Sequence, residues 1–202
     1  GWTFFKNDKW HFPLGKNPNY GLDISTSIIF SDSIPLLAFF FKLLKNFLSQ
    51  NFQYFSLWIF ICFFLQFYLS YLIIYKITEN IYYSFVSSVL FIISPIFIYR
   101  LGIHISLGGH WLILFGFYIN FIIKENKKQF YWILLLMLST LIHLYFTAML
   151  FVMYFCFITE TLIKDKKIKK FIFNLFTSLL LAFFFMFIFG YFETTIVSTV
   201  SR

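Results

Sequence analysis

The stretch Arg100-Leu-Gly-Ile-His104-Ile-Ser-Leu-Gly-Gly-His110-Trp111 sets a guanidinium, two imidazoles and an indole around the Gly108-Gly109 pair. Glycines let backbone approach a ligand closely, and cationic or hydrogen-bonding side chains beside them can hold a phosphate or polarise a leaving group. The same residues also suit a tight turn whose imidazoles are satisfied by backbone carbonyls. Zinc is a poor match, because His104 and His110 do not have helical ligand spacing and no acidic residue adjoins them. Carboxylates must come from elsewhere. Asp32, in Phe30-Ser31-Asp32-Ser33-Ile34-Pro35, reads as an acid or metal ligand or as a helix N-cap, and the roles are compatible. Asp8 and His11, flanked by Trp2, Trp10 and Phe12, bind a polar head group or belong to a solvated loop with aromatic anchors. Asp23, in Gly21-Leu22-Asp23, reads as a turn residue. His143 sits in an apolar run beside Tyr145 and Thr147, where an ionisable group is expensive; it is either functional or a polar link between helices. The chain contains no Walker loop, dinucleotide fingerprint, serine nucleophile elbow or CxxC, which excludes nucleotide-driven chemistry within it.

The elements that must position these residues belong to a membrane. Of 202 residues, 60% are hydrophobic and 12% charged, whereas soluble domains carry about 25% charged residues. Phe alone accounts for 34 residues, a richness that follows AT-rich codon usage before it follows function. Residues 1–33 form the only long polar stretch, a loop outside the bilayer. An apolar segment over about 34–48, interrupted by Lys42 and Lys45, is too short to span, which predicts an interfacial or re-entrant helix. Residues 1–51 therefore read as one external loop unit and 52–202 as a single integrated membrane bundle. About six crossings are expected, near Phe52–Tyr75, Ile81–Tyr99, Leu107–Ile123, Phe130–His143, Tyr145–Ile163 and Phe171–Tyr191. Cys62 and Cys156 both fall inside apolar runs, so no disulfide is expected.

Charge gives the sidedness. The net charge is +8, and most lysines sit in short linkers: Lys76 with Glu79; Lys124, Lys127 and Lys128; and Lys164, Lys166, Lys167, Lys169 and Lys170. These are topology signals and not a nucleic-acid surface, and the positive-inside rule makes their side cytoplasmic. Residues 130–163 would make one helix of about 50 Å. A break near His143 and Tyr145 instead returns both flanking lysine clusters to the same side. His11, His104, His110 and His143 then share the opposite side with Asp8, Asp23, Asp32, Arg100 and Glu193.

Gly1-Trp2-x-Phe-Phe-Lys-Asn-Asp8, Trp10-x-x-Pro13-Leu-Gly15-x-Asn17-Pro-x-Tyr20-Gly21, Phe30-Ser-Asp32-Ser-Ile-Pro35-Leu and Gly-x-His104-x-x-Leu-x-Gly-His110-Trp111-Leu-Ile-Leu together resemble a bacterial family of multispanning proteins. That family looks like a branch of the GT-C glycosyltransferases. The match covers Gly1 to about Leu114. The resemblance implies an all-α, polytopic GT-C-like bundle in the bacterial inner membrane. Its external loop would carry an interfacial helix, and its active face would be periplasmic. A sugar would pass from a polyprenyl-phosphate carrier to an extracytoplasmic glycan, lipid or protein acceptor. Asp32 and Asp8 are the catalytic candidates and the possible ligands of a divalent cation (Mg or Mn). Arg100, His104, His110, Trp111, His143 and His11 are the substrate-binding candidates. It also implies a first span upstream of Gly1 with an acidic residue after it. The rival expectations are a transporter or flippase for a lipid-linked glycan, and a non-catalytic membrane subunit. No nucleic-acid partner is expected.

Overall fold

The computed structural model describes residues 1–20 and 26–192; Gly21, Asp23 and Glu193 lie outside the described residues. Short elements build the N-terminal loop unit: α1 (Trp2–Asn7), an antiparallel pair β1 (Lys16–Asn17) and β2 (Thr26–Ser27), and α2 (Pro35–Leu43). Pro35 occupies the first turn of α2, where its missing N–H costs nothing. The unit's buried residues Trp2, Phe5, Ile28, Ile34, Ala38 and Phe41 join Tyr54 and Trp58 in one continuous apolar core with the bundle.

The bundle follows as α3 (Phe55–Thr78), α4 (Ile81–Ile92), α5 (Pro95–Ile103), α6 (Trp111–Phe121), α7 (Glu125–Thr140), α8 (Leu144–Asp165) and α9 (Ile168–Phe189). Four helices are long and apolar enough to cross a membrane: Phe55–Thr78, Ile81–Ile103, Leu144–Asp165 and Ile168–Phe189. This differs from the six crossings expected from hydropathy. Helix α6 has 11 residues and α7 has 16, so at 1.5 Å per residue α7 covers about 24 Å of a hydrocarbon layer about 30 Å thick.

Local chemistry sets the boundaries. Glu79 and Lys166 end α3 and α8 in the left-handed region, at φ 52° and 53°. Asn80 caps α4 by accepting from the Tyr83 N–H at 3.1 Å. Pro95 interrupts the second span, separating α4 from α5. The break between α7 and α8 falls at Leu141–His143. There the His143 Nδ1 accepts the Tyr145 N–H at 3.2 Å, and Ser139 Oγ donates to Thr147 Oγ1 across the turn at 3.0 Å. Gly190 closes α9 at φ 87°, a conformation that suits glycine.

These breaks sort the connections to two ends of the bundle. At one end Lys76 and Glu79 share a groove with Tyr118 and Ile122, while Glu125 and Lys128 share a cleft with Lys164, Asp165 and Lys170. All three lysine-bearing linkers therefore lie together. The loop unit caps the other end. Trp2 Nε1 donates to the Phe52 carbonyl at 3.0 Å, Leu36 N to the Leu141 carbonyl at 2.7 Å, and Leu14 N to the Ile188 carbonyl at 2.9 Å. Gly15 permits the last approach, because a methyl there would collide with the Phe189 carbonyl and Ser27 Oγ.

Candidate functional site

The capped end carries the residues with chemistry. Between α5 and α6 the chain makes a 3-10 turn over Ile105–Gly108, with His104 exposed just before it and His110 at the start of α6. Asp32 reaches this turn from the loop unit. Its carboxylate accepts the Ile105 N–H at 2.7 Å, the Ser106 N–H at 2.8 Å and the Ser106 hydroxyl. Trp58, buried at the start of α3, donates its indole N–H to the Ile105 carbonyl at 2.8 Å. The turn is thus held from two directions. Asp32 does cap a helix, but a distant one: its own helix α2 begins after Ile34, whose φ of 43° is rare for a β-branched residue. Ser31 and Ser33 bond each other, and Tyr54 donates to the Ser33 carbonyl, so the strained segment is pinned on both sides.

His143 completes the group. Burial holds its imidazole below the ordinary value of 6.5, with Asp32 pulling it up and His104 pushing it down. Those two influences put Asp32, His104 and His143 within electrostatic reach of one another. Arg100 is exposed on the last turn of α5 and acts electrostatically on His110, whose ring lies 5.7 Å from Phe97 and 5.9 Å from Phe146 between ring centroids.

Other expected residues take different places. Trp111 is 6% exposed and packs edge-on against Trp58, so it belongs to the core and supports the turn from beneath. The glycines do not open the backbone to a ligand. A methyl on Gly108 would collide with Leu101, and one on Gly109 would meet Phe146 and Ile142, so both serve close packing. Asp8 and His11 pair with each other at 3.1 Å, and Asp8 also accepts the Lys9 N–H. Beside them Lys42 is 1% exposed. Its ammonium donates to the Lys9 carbonyl at 3.1 Å and lies 3.8 Å from the Phe5 ring centroid and 4.6 Å from that of Trp10. Burial pushes Lys42 down to about 8 against the opposing pull of Asp8, with Lys45 adding to the fall. This part of the loop is an internally bonded unit.

Among the described residues, no three His, Cys, Asp or Glu side chains gather so as to hold a metal ion. Three hydrogen-bond donors already engage Asp32, and two engage Asp8. With their oxygens so engaged, these carboxylates do not make a donor set that fits a divalent cation.

Sequence reasoning misses Tyr54, Trp58 and Tyr191, whose hydroxyl donates to the Thr140 carbonyl. Each is an amphipathic aromatic near a helix end with a polar tip that needs a partner, which is the available signal. A cleft of about 950 Å³ lies at the opposite, lysine-bearing end.

Residues 1–201 match a domain family of unknown function, DUF6311, and the chain belongs to that family. No curated protein and no solved structure matches it.

Proposed function

We propose that this DUF6311 chain is a membrane glycosyltransferase of GT-C type, moving a sugar from a polyprenyl-phosphate carrier to a glycan, lipid or protein acceptor on the extracytoplasmic side. One observation carries the reading: Asp32, held in the loop unit, grips the His104 turn beside His143, while the lysine-bearing linkers lie at the other end. The positive-inside rule turns that polarity into sidedness, with the imidazoles outside in a bacterial inner membrane. Four membrane-length helices with the shorter α6 and α7 packed among them suit a bundle in which short, broken helices face protein instead of lipid.

In this reaction the acceptor oxygen attacks the anomeric carbon and the bond from that carbon to the phosphate oxygen breaks. The departing phosphate takes the electron pair beside Arg100 and His104, both exposed and able to donate. Asp32 has about four lone-pair sites and three donors. One site is left to receive the acceptor hydroxyl and take its proton. His143, with Nδ1 occupied by the Tyr145 N–H, serves as a neutral donor through Nε2.

The test is full-length protein reconstituted with a panel of hexosyl polyprenyl phosphates, following release of polyprenyl phosphate. Arg100→Ala and His104→Ala should each slow release by about 10²–10³, the usual cost of losing a preorganised donor. Turnover unchanged in both variants sinks the proposal. A transporter for a lipid-linked glycan draws support from the Pro95 break in the second span, since transport sites use discontinuous helices. Liposomes that move a fluorescent lipid-linked glycan across the bilayer without cleaving it would favour that reading.

A further inference from the structure

We infer that the cleft between α6–α7 and α8–α9 at the lysine-bearing end is a binding site for the headgroup of an anionic phospholipid. This is independent of the reaction proposed above and lies at the other end of the bundle. The three linkers there carry nine lysines against four carboxylates, so the region attracts anions as a whole. Three of those lysines, one from each of three segments, line the cleft, each beside a carboxylate that lines it too: Lys128 on α7 with Glu125, Lys164 on α8 with Glu160, and Lys170 on α9 with Asp165. Lys128 is only 8% exposed, yet its ion-pair partner Glu125 has a side chain 78% exposed. Glu160 and Asp165 pair with Lys164 and Lys170, and in these two pairs both side chains are exposed. Exposed pairs of this kind hold weakly, so a phosphodiester can take the ammonium groups from them.

The rest of the cleft suits a lipid better than a free anion. Phe117 and Phe121, 41% and 56% exposed on α6, form one lip and offer apolar surface on which acyl chains can lie. Asn120, Gln129 and Asn174 supply amides at the level of a hydroxylated headgroup. The floor is fixed in advance. Gln129 Nε2 donates to the Tyr154 hydroxyl at 2.8 Å, Ser178 donates to the same oxygen at 2.7 Å, and that hydroxyl donates to the Asn174 carbonyl at 2.9 Å. Basic pockets between helices on the positive-inside face are a recurrent way of holding such headgroups.

The test is native mass spectrometry of the detergent-solubilised full chain titrated with phosphatidylglycerol, phosphatidylcholine or soluble glycerol phosphate. Phosphatidylglycerol should be retained at least tenfold better than phosphatidylcholine. Lys164→Glu and Lys170→Glu, both on exposed side chains, should each weaken phosphatidylglycerol retention by at least about fivefold. Lys76→Glu, which removes the same charge from a linker outside the cleft, should leave retention unchanged. Thermal unfolding checks that each variant is folded. Equal retention of the two lipids, or equal loss in Lys76→Glu, overturns the site. Glycerol phosphate binding as tightly as the lipid overturns the lipid assignment in favour of a soluble phosphate.

Discussion

Replacing Asp32 with Ala removes one carboxylate that accepts three hydrogen bonds from Ile105 and Ser106. Bonds to a charged acceptor contribute about 1.5–3 kcal/mol each when both partners are shielded from water. Shielding here is partial: the Ile105 bond is exposed, and the Ser106 bonds are only partly buried. Water can therefore replace the first, and the net loss should be about 2 kcal/mol, carried by Ser106. Nearly all of it should appear as local opening, because Trp58 still holds the Ile105 carbonyl from α3. That energy corresponds to about 30-fold faster amide exchange. Hydrogen exchange read by mass spectrometry should show the acceleration over 105–108 in Asp32→Ala, and a smaller one in Asp32→Asn, which keeps an acceptor oxygen. Exchange over α3 should be unchanged. If the amides of Ile105 and Ser106 exchange at the wild-type rate in a folded Asp32→Ala protein, the grip of the loop on the turn is not what orders it. If exchange is unchanged and sugar transfer is abolished, Asp32 acts only as a base.

An imidazole held below 6.5 binds its proton more readily when unfolded, so His143 contributes stability that is complete above that value and lost as pH falls through 6.5 toward the folded value; His143→Gln should flatten the decline in melting temperature between pH 7 and pH 5. Lys42 runs between 10.5 unfolded and about 8 folded, a penalty of about 3 kcal/mol fully present below pH 8 and relieved as pH rises toward 10.5. Lys42→Met should therefore match or exceed wild-type stability at pH 7, with the gap closing in alkaline buffer. Glu79→Gly and Lys166→Gly relieve left-handed backbone and should each raise stability by about 0.5–1 kcal/mol in denaturant titrations. Gly15→Ala should detach the loop unit from α9, visible as protease cleavage between residues 8 and 33 while the bundle stays intact.

Much of the bundle is legible because its signals are local. Asn80 caps α4, Pro95 breaks the second span, and a helix running unbroken past His143 would exceed any bilayer. Those features alone bring the lysine-bearing linkers to one end. The number of full-length crossings is not legible this way, since hydropathy measures apolar content: α6 is apolar but short, and the first five residues of α7, Glu125 to Gln129, are polar. The candidate site was harder to read for the opposite reason. The residues of the His104 turn stand out by composition, but the partner of Asp32 lies in another segment altogether, and no local pattern signals a carboxylate capping a distant turn. Trp111 and Gly108 look like ligand-facing residues until Trp58 and Leu101 are seen packed against them. Lys42 reads only as an interruption of the apolar segment over 34–48, whereas Phe5 and Trp10 enclose it.

The bond from Leu14 to the end of α9 joins nearly the first residues to nearly the last of the described chain. During synthesis residues 1–43 emerge well before α9, yet their docking surface does not exist until α9 has been threaded into the bilayer. Until then the face of Phe39 that later meets Phe189 stands bare. Docking of the loop unit on α9 accordingly follows insertion of that helix, and a nascent chain stalled before α9 leaves Phe39 without the ring that packs on it.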